Sequence, residues 1–278
     1  MKTEGVPFLR WAGGKSWFLP IWKRLVNSIE FNRYFEPFLG SGTMFFSLPG
    51  NHPAILSDMN EPLIETYRNV KESPKAVFDE LQKFSNTKSD YYRIRSQKFR
   101  LGERIAAQFI YLNQTSFNGL YRVNAKGEYN VPYGHRTNWT YRFDRLKAAS
   151  DTLKRQHSEL LCGDFEDAIN TVRQGDLVFL DPPYAVSERG KDNLFVEYNE
   201  KIFSLGDQHR LRECIDFIKR RKAFYVLTNA GHPTIERIFE TEDRKLDLYR
   251  HSLIGGKPSA RKLVKEIAIT NIPEGKQK

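Results

Sequence analysis

The chain has 278 residues, 40% of them hydrophobic, and a formal net charge of +10 at pH 7. That length suits one α/β domain with a sizeable insertion or two compact units, and no apolar run approaches the roughly 18 residues a membrane span needs. Cys162 and Cys214 are too few for a disulfide framework, no CxxC pair suggests zinc, and residues 1–5 have no apolar signal region behind them, so a reducing cytoplasm is expected. The isoelectric point near 9.4 favours polyanions, with salt-dependent affinity for phosphate backbones. Charge alone does not choose between DNA, RNA and anionic lipid.

In chain order, residues 33–39 read as a strand, Gly40-Ser41-Gly42 as a turn and 43–48 as a helix, followed by a second strand at 54–58. From 61 to 114 the texture is helical, with Leu63, Ile64 and Tyr67 at helical spacing. Residues 117–133 read as a β-hairpin turning at Ala125-Lys126-Gly127, and 143–155 as an amphipathic helix. Short apolar strands at 159–163 and 177–181 enclose another helix; 207–221 is a helix with Asp207 as its N-cap, and 223–229 a strand. Two β segments, 245–251 and 263–270, would give the sheet an antiparallel terminal pair. The predicted fold is α/β, with a discontinuous sheet domain from residues 1–60 and 145–278. A mostly helical module at 61–144, carrying the hairpin, is inserted into it.

A strand running into Gly40-Ser41-Gly42 before a helix lets backbone approach a ligand at the carboxyl edge of a sheet; an ordinary tight turn has the same signature. Phe45 stands where a dinucleotide fingerprint needs a third glycine, so a nucleoside without phosphates fits better than a pyrophosphate. Asp58, at the end of the next strand, can accept hydrogen bonds from both ribose hydroxyls, or serve as a cap near Asn60.

Asp181-Pro182-Pro183-Tyr184 follows the strand Leu177-Val178-Phe179-Leu180. Two prolines stiffen the loop and release the Pro182 carbonyl from strand pairing. An adenine exocyclic amine is a poor nucleophile, because its lone pair is delocalised into the ring. The Asp181 carboxylate and the Pro182 carbonyl can hold both amine hydrogens and turn the lone pair toward a sulfonium methyl. Tyr184 can stack on a base flipped out of the duplex.

Together these motifs resemble the DNA adenine methyltransferase (Dam) family over nearly the whole chain. Residues 8–15, Phe-Leu-Arg-Trp-Ala-Gly-Gly-Lys, are similar to that family's opening signature, which implies cofactor contacts for Trp11 and Lys15; without the resemblance, the Gly-Gly loop reads as a surface turn. Residues 36–42 resemble its first cofactor motif, implying Pro37, Phe38, Gly40, Ser41 and Gly42, and 57–60 its second, implying Asp58. Asp164 and Phe165 resemble the segment holding the cofactor's adenine, where a helix cap beside a core ring is the plainer reading. Residues 195–199 and Thr228-Asn229-Ala230 also follow the family pattern.

The resemblance implies a Rossmann-like methyltransferase sheet and S-adenosylmethionine as cofactor, converted to S-adenosylhomocysteine, with no metal. It implies double-stranded DNA as partner, with no membrane and no obligate protein partner, in a bacterial or phage-encoded enzyme. The glycine motif precedes the inserted module and Asp-Pro-Pro-Tyr follows it, which makes the insertion the DNA-recognition domain. Strand alternation puts Leu120, Arg122 and Asn124 on one face of the hairpin. An arginine there can grip guanine through two hydrogen bonds. In GATC-methylating relatives the positions of Leu120, Arg122 and Pro132 read the outer bases and Asn118 lies at the disrupted base step. The implied target is therefore GATC, with Arg122 held to phosphate as the other reading.

Competing chemistries fit less well. Methylation at cytosine carbon 5 needs a poised thiolate, and neither Cys162 after Leu161 nor Cys214 after Glu213 offers one. The six histidines show no HExxH or similar ligand spacing. The basic run Lys219-Arg220-Arg221-Lys222 closes a helix, where cations suit the carboxyl-terminal dipole. Methylation of the cytosine exocyclic amine is the nearest alternative, although aspartate rather than serine before Pro-Pro-Tyr counts against it. A catalytically silent DNA-binding protein of the same fold is the other.

Overall fold

The structure is a computed structural model that describes residues 6–11, 13–136, 140–184, 203–251 and 263–274. Residues 195–199, which follow the family pattern, lie outside the described residues. Its strands are β1 (Tyr34–Glu36), β2 (Ala54–Asp58), β3 (Glu159–Cys162), β4 (Leu177–Leu180), β5 (Phe224–Ala230), β6 (Arg244–His251) and β7 (Leu263–Thr270). They form a seven-stranded sheet in the order β3-β2-β1-β4-β5-β7-β6, a mixed α/β arrangement consistent with a Rossmann-like methyltransferase fold. The terminal pair is antiparallel: β7 runs against both β5 and β6.

The chain divides into two compact units, residues 1–27 with 39–165, and residues 28–38 with 166–278. The segment 61–144 falls wholly within the first unit. There β2 and β3 pair in parallel, Ile55 opposite Glu159 through Asp58 opposite Cys162. The helices Glu61–Glu72, Pro74–Leu81, Gly102–Thr115 and Phe143–Arg155 pack on one another. Leu63, Ile64, Tyr67 and Val70, all fully buried, recur along one face of the first of these. Asn60 starts that helix by accepting the Leu63 amide on its side chain at 3.1 Å, and Pro62 suits its first turn. Among the described residues no helix is long and apolar enough to cross a membrane.

In the second unit β1, β4 and β5 run parallel, in the registers Phe35 opposite Val178 and Leu180 opposite Leu227. All four β4 residues are buried, as expected of an interior parallel strand. The helix Leu205–Arg220 packs on β5. Its cap is Ser204, not Asp207 as the sequence suggested. The Ser204 hydroxyl accepts the Asp207 amide at 3.2 Å while the Asp207 carboxylate accepts the Ser204 amide at 2.8 Å, so the aspartate closes a reciprocal capping box from the third helical position. Lys219 and Arg220 occupy the last turn, and Lys219 donates to Asp243 at 2.6 Å.

The first strand is shorter than expected. It stops at Glu36 because Pro37 has no amide to donate and the chain then turns through Gly40 (φ +48°) and Gly42 (φ +64°).

The expected hairpin is also less regular. Residues 116–133 make two isolated antiparallel bridges, Ser116 with Tyr133 and Val123 with Tyr129, rather than two strands. Asn118 (φ +54°) and Gly119 (φ +64°) break the rising arm at its base, and Pro132 lacks an amide on the returning one. Side chains take over backbone acceptors: Tyr129 donates to the Leu120 carbonyl at 2.6 Å and Tyr91 to that of Val131 at 2.8 Å. The turn is where the sequence placed it. Asn124 accepts the amides of Lys126 and Glu128 on its side chain, at 2.9 and 3.0 Å, and Gly127 supplies φ +75°.

Candidate active site

In the first unit, Gly40 sits under the Trp11 indole. A Cβ on Gly40 would lie 2.8 Å from Trp11 Cδ1, so only glycine lets the loop approach this ring. The Gly40 amide donates to Asp58 Oδ2 at 3.1 Å, and the Asn60 amide to Oδ1 at 3.0 Å. Burial pushes the Asp58 carboxyl above its usual range, opposed by these two backbone hydrogen bonds. Tyr67 completes the loop by donating to the Gly40 carbonyl at 3.1 Å. Ser41 and Thr43 share a hydroxyl hydrogen bond of 2.8 Å.

Lys15 is buried, 4% exposed, with Nζ donating to the Gly13 carbonyl at 3.1 Å; Gly13 and Gly14 themselves are exposed and form the surface turn that the Gly-Gly loop suggested, closed by the Gly14 amide on the Trp11 carbonyl at 3.2 Å. Asp164 is half-buried, and Phe165, 3% exposed, opens the helix Phe165–Ile169. Trp11 also stacks near-parallel on Tyr121, at 5.9 Å, and on Phe109, at 6.5 Å. One ring thus touches both the glycine loop and the excursion 117–133, a link that spacing along the chain does not reveal.

That excursion presents Asn118, Arg122, Asn124 and Pro132 to solvent, with Leu120 half-buried and Tyr121 turned to the aromatic cluster. Exposure alternates from Tyr121 to Asn124, with Arg122 and Asn124 exposed and Tyr121 and Val123 half-buried, but Leu120 is half-buried as well rather than exposed like Arg122 and Asn124. Arg122 is not left to wander: its Nε donates to Asn130 Oδ1 at 2.8 Å.

In the second unit, Asp181 follows the last residue of β4. The β4–β5 register brings it beside Thr228, whose hydroxyl donates to Asp181 Oδ1 at 2.8 Å. Pro182 is buried, and Pro183 and Tyr184 are half-buried. Tyr184 donates its hydroxyl to Glu266 Oε2 at 2.7 Å. Burial, then the negative charges of Asp181 and Glu266, holds that phenol well above its ordinary pKa. The other Glu266 oxygen is ion-paired with Arg250. Asn229 is buried and donates to Gln208 at 2.9 Å. Pro37 is buried, and Phe38 meets Phe203 edge-on at 5.5 Å. Sequence reasoning missed Glu266 and Arg250. The one available signal was an acidic residue inside the apolar run of β7.

Among the described residues no three histidine, cysteine, aspartate or glutamate side chains cluster in a way that could hold a metal ion. Both cysteines are free thiols, Cys162 exposed and Cys214 buried.

The chain belongs to the family of D12 class N6 adenine-specific DNA methyltransferases, whose model its residues 11–252 match. It is 34% identical over 276 residues to the type II methyltransferase M1.LlaDCHI of Lactococcus lactis subsp. cremoris, across 95% of both chains. It is 36% identical over 250 residues to the type II methyltransferase M.MjaIII of Methanocaldococcus jannaschii, covering 82% of this chain and 85% of that one. Against the DNA adenine methylase of Haemophilus influenzae the identity is 30% over 247 residues, covering 84% and 82%. The protein is an adenine-specific DNA methyltransferase.

Family membership implies S-adenosylmethionine as the methyl donor and DNA as the substrate. The donor's nucleoside suits the residues present. A glycine with no room for a Cβ gives close backbone approach, and Asp58 carries the kind of acceptor that ribose hydroxyls seek.

Proposed function

We propose that this enzyme methylates the N6 amine of adenine within GATC in double-stranded DNA, in the cytoplasm. Residues 61–144 would serve as the recognition domain, and 1–60 with 145–278 as the catalytic domain. The observation that carries the catalytic part is the fixed carboxylate of Asp181, held by Thr228 at 2.8 Å at the end of β4. S-adenosylmethionine supplies a methyl already activated on a sulfonium, so the chain contributes orientation and electrostatics. Trp11, Lys15, Pro37, Phe38, Gly40 to Gly42, Asp58, Asp164 and Phe165 would hold that donor. Asp181 and the Pro182 carbonyl accept the two amine hydrogens and draw the nitrogen lone pair out of conjugation. Tyr184 stacks on the extruded base.

The GATC reading rests on Asn118, Arg122, Asn124 and Pro132, which are exposed, and on Leu120, which is half-buried. Arg122 gives the most specific support, because Asn130 takes its Nε and leaves the two terminal nitrogens to form a fork toward guanine. Expression in a host lacking adenine methylation, followed by single-molecule sequencing, tests the whole assignment. N6-methyladenine confined to GATC is expected; methylated adenine in another sequence would discard the site, and methylated cytosine the chemistry. Asp181→Ala is expected to bind DNA like the parent and lose methyl transfer; transfer at the parental rate would remove Asp181 from the mechanism. Arg122→Ala should cost about 1–3 kcal/mol at the guanine position and relax site choice.

A further inference from the structure

Glu266 is an expensive residue where it stands. Its side chain is 1% exposed, on a strand paired on both sides, opposite Ala230 of β5 and Leu248 of β6. A carboxylate in such a place costs several kcal/mol in lost hydration unless it is paired and hydrogen-bonded, and an apolar replacement is often as stable or more so. Packing alone gives no reason to keep an acid there.

Arg250 and Tyr184 supply a reason. Arg250 lies two residues along β6 from Leu248, on the same face, and reaches Glu266 diagonally through Nε. Its own side chain is 24% exposed, so the positive charge is only partly withdrawn from water. The second carboxylate oxygen accepts from the Tyr184 hydroxyl, 82 residues earlier in the chain, at 2.7 Å. A phenol ring tethered at Cβ and again at its hydroxyl can turn about its own long axis but cannot swing.

We propose that Glu266, held by Arg250, is a positioning residue that tethers the Tyr184 ring so that it presents a fixed face to the extruded adenine. This deepens the reading in which Tyr184 stacks on the target base, and rests on it. Glu266 touches neither base nor donor in this scheme. It acts through the tyrosine, and its effect belongs to the rate of the methyl-transfer step rather than to affinity.

The test uses the full-length enzyme with S-adenosylmethionine and a duplex carrying one target adenine. Single-turnover rates are measured for Tyr184→Phe, Tyr184→Ala, Glu266→Ala and Glu266→Gln. Loss of the tether should slow transfer about 10- to 100-fold in Tyr184→Phe and Glu266→Ala, the scale set by a misplaced reacting group. Dissociation constants for DNA and donor should stay within about twofold of the parent, marking a transition-state rather than a binding effect. Glu266→Gln, whose amide oxygen can still accept from the phenol, should recover most of the rate. The double variant Tyr184→Phe with Glu266→Ala should be no slower than the slower single, because both delete one interaction. With 2-aminopurine at the target position, the tether variants should fluoresce more brightly than the parent, since a swinging ring stacks less well on the base. Should Glu266→Ala fail to fold, Tyr184→Phe, which removes a single oxygen, still decides. Parental rates in Tyr184→Phe alongside a crippled Tyr184→Ala would overturn the tether and leave the stacking role standing. A parental rate in Tyr184→Ala would overturn both.

Discussion

Replacing Gly40 by alanine isolates the contact between the glycine loop and Trp11. Two costs add. At φ +48° a side chain sits in the left-handed region, worth about 1–2 kcal/mol. The new methyl would also stand 2.8 Å from Trp11 Cδ1 and 3.0 Å from Nε1, a separation closed to real carbon atoms, so the indole must move. Shifting a packed ring costs about 1–3 kcal/mol. Gly127→Ala is the control. It carries φ +75° with nothing within 4 Å of its new Cβ, and so bears the backbone cost alone. Calorimetry with S-adenosylmethionine should show donor affinity lowered about 10- to 100-fold in Gly40→Ala, since each factor of ten is about 1.4 kcal/mol, and unchanged in Gly127→Ala. Thermal unfolding should show losses of about 2–4 °C per kcal/mol in both. If the two variants bind donor equally well, Trp11 is not part of the donor site and the cradle is misassigned.

Other expectations follow from individual contacts. Thr228→Val keeps the shape but deletes the hydroxyl that holds Asp181, a hydrogen bond to a charged group worth about 1.5–3 kcal/mol. The turnover number should fall about tenfold or more with the donor KM unchanged, and Thr228→Ser should restore it. Equal turnover in Thr228→Val would make the contact incidental. Asp243 accepts from Lys219 at 2.6 Å, Tyr225 at 2.8 Å and Thr241 at 3.1 Å. Burial alone would raise its pKa, but the hydrogen bonds from Lys219 and Tyr225 and the lysine charge outweigh it, and the net shift is downward. A carboxyl depressed on folding adds stability above its unfolded pKa of about 3.9 and loses it as pH falls through the lower folded value. Asp243→Asn should therefore melt several degrees lower than the parent at pH 7, with the gap closing below about pH 4. A gap independent of pH would mean the carboxylate charge contributes nothing there.

Much of this architecture was legible where local signals agree. β2, the helix Phe143–Arg155 and β7 begin and end where periodicity and turn residues put them. The motif Asp181 to Tyr184 stands out because its composition has few other uses, whereas Gly40 to Gly42 shares its signature with an ordinary tight turn and gains meaning only beside the other motifs. What stayed hidden depends on partners brought together by the fold. Asp207 looked like a helix cap; Ser204 three positions earlier forms the better closed pair with it, a choice that turns on where the first helical turn begins. The region 117–133 has the alternation of a hairpin, yet Asn118 and Gly119 adopt left-handed backbone, and tyrosine hydroxyls donate to the Leu120 and Val131 carbonyls. Lys15 in a Gly-Gly loop looked solvated and is buried. Glu266 and Arg250 carried no motif, and Thr228 showed only as part of the family-like Thr228-Asn229-Ala230, since their contacts depend on the register of β5, β7 and β6.

That register has a bearing on how the protein is made. β7 is later in sequence than both of its neighbours and separates them, so β6 has no other strand to pair with among those described. While the ribosome is still completing residues 263–270, β5 offers a bare edge and β6 hangs as an orphan ribbon, both open to pairing with the wrong chain. A nonsense mutation just ahead of residue 263 would remove one strand and unmoor a second. It would also strip Tyr184 of its anchor, and so release an aggregation-prone stump in place of a weakened enzyme.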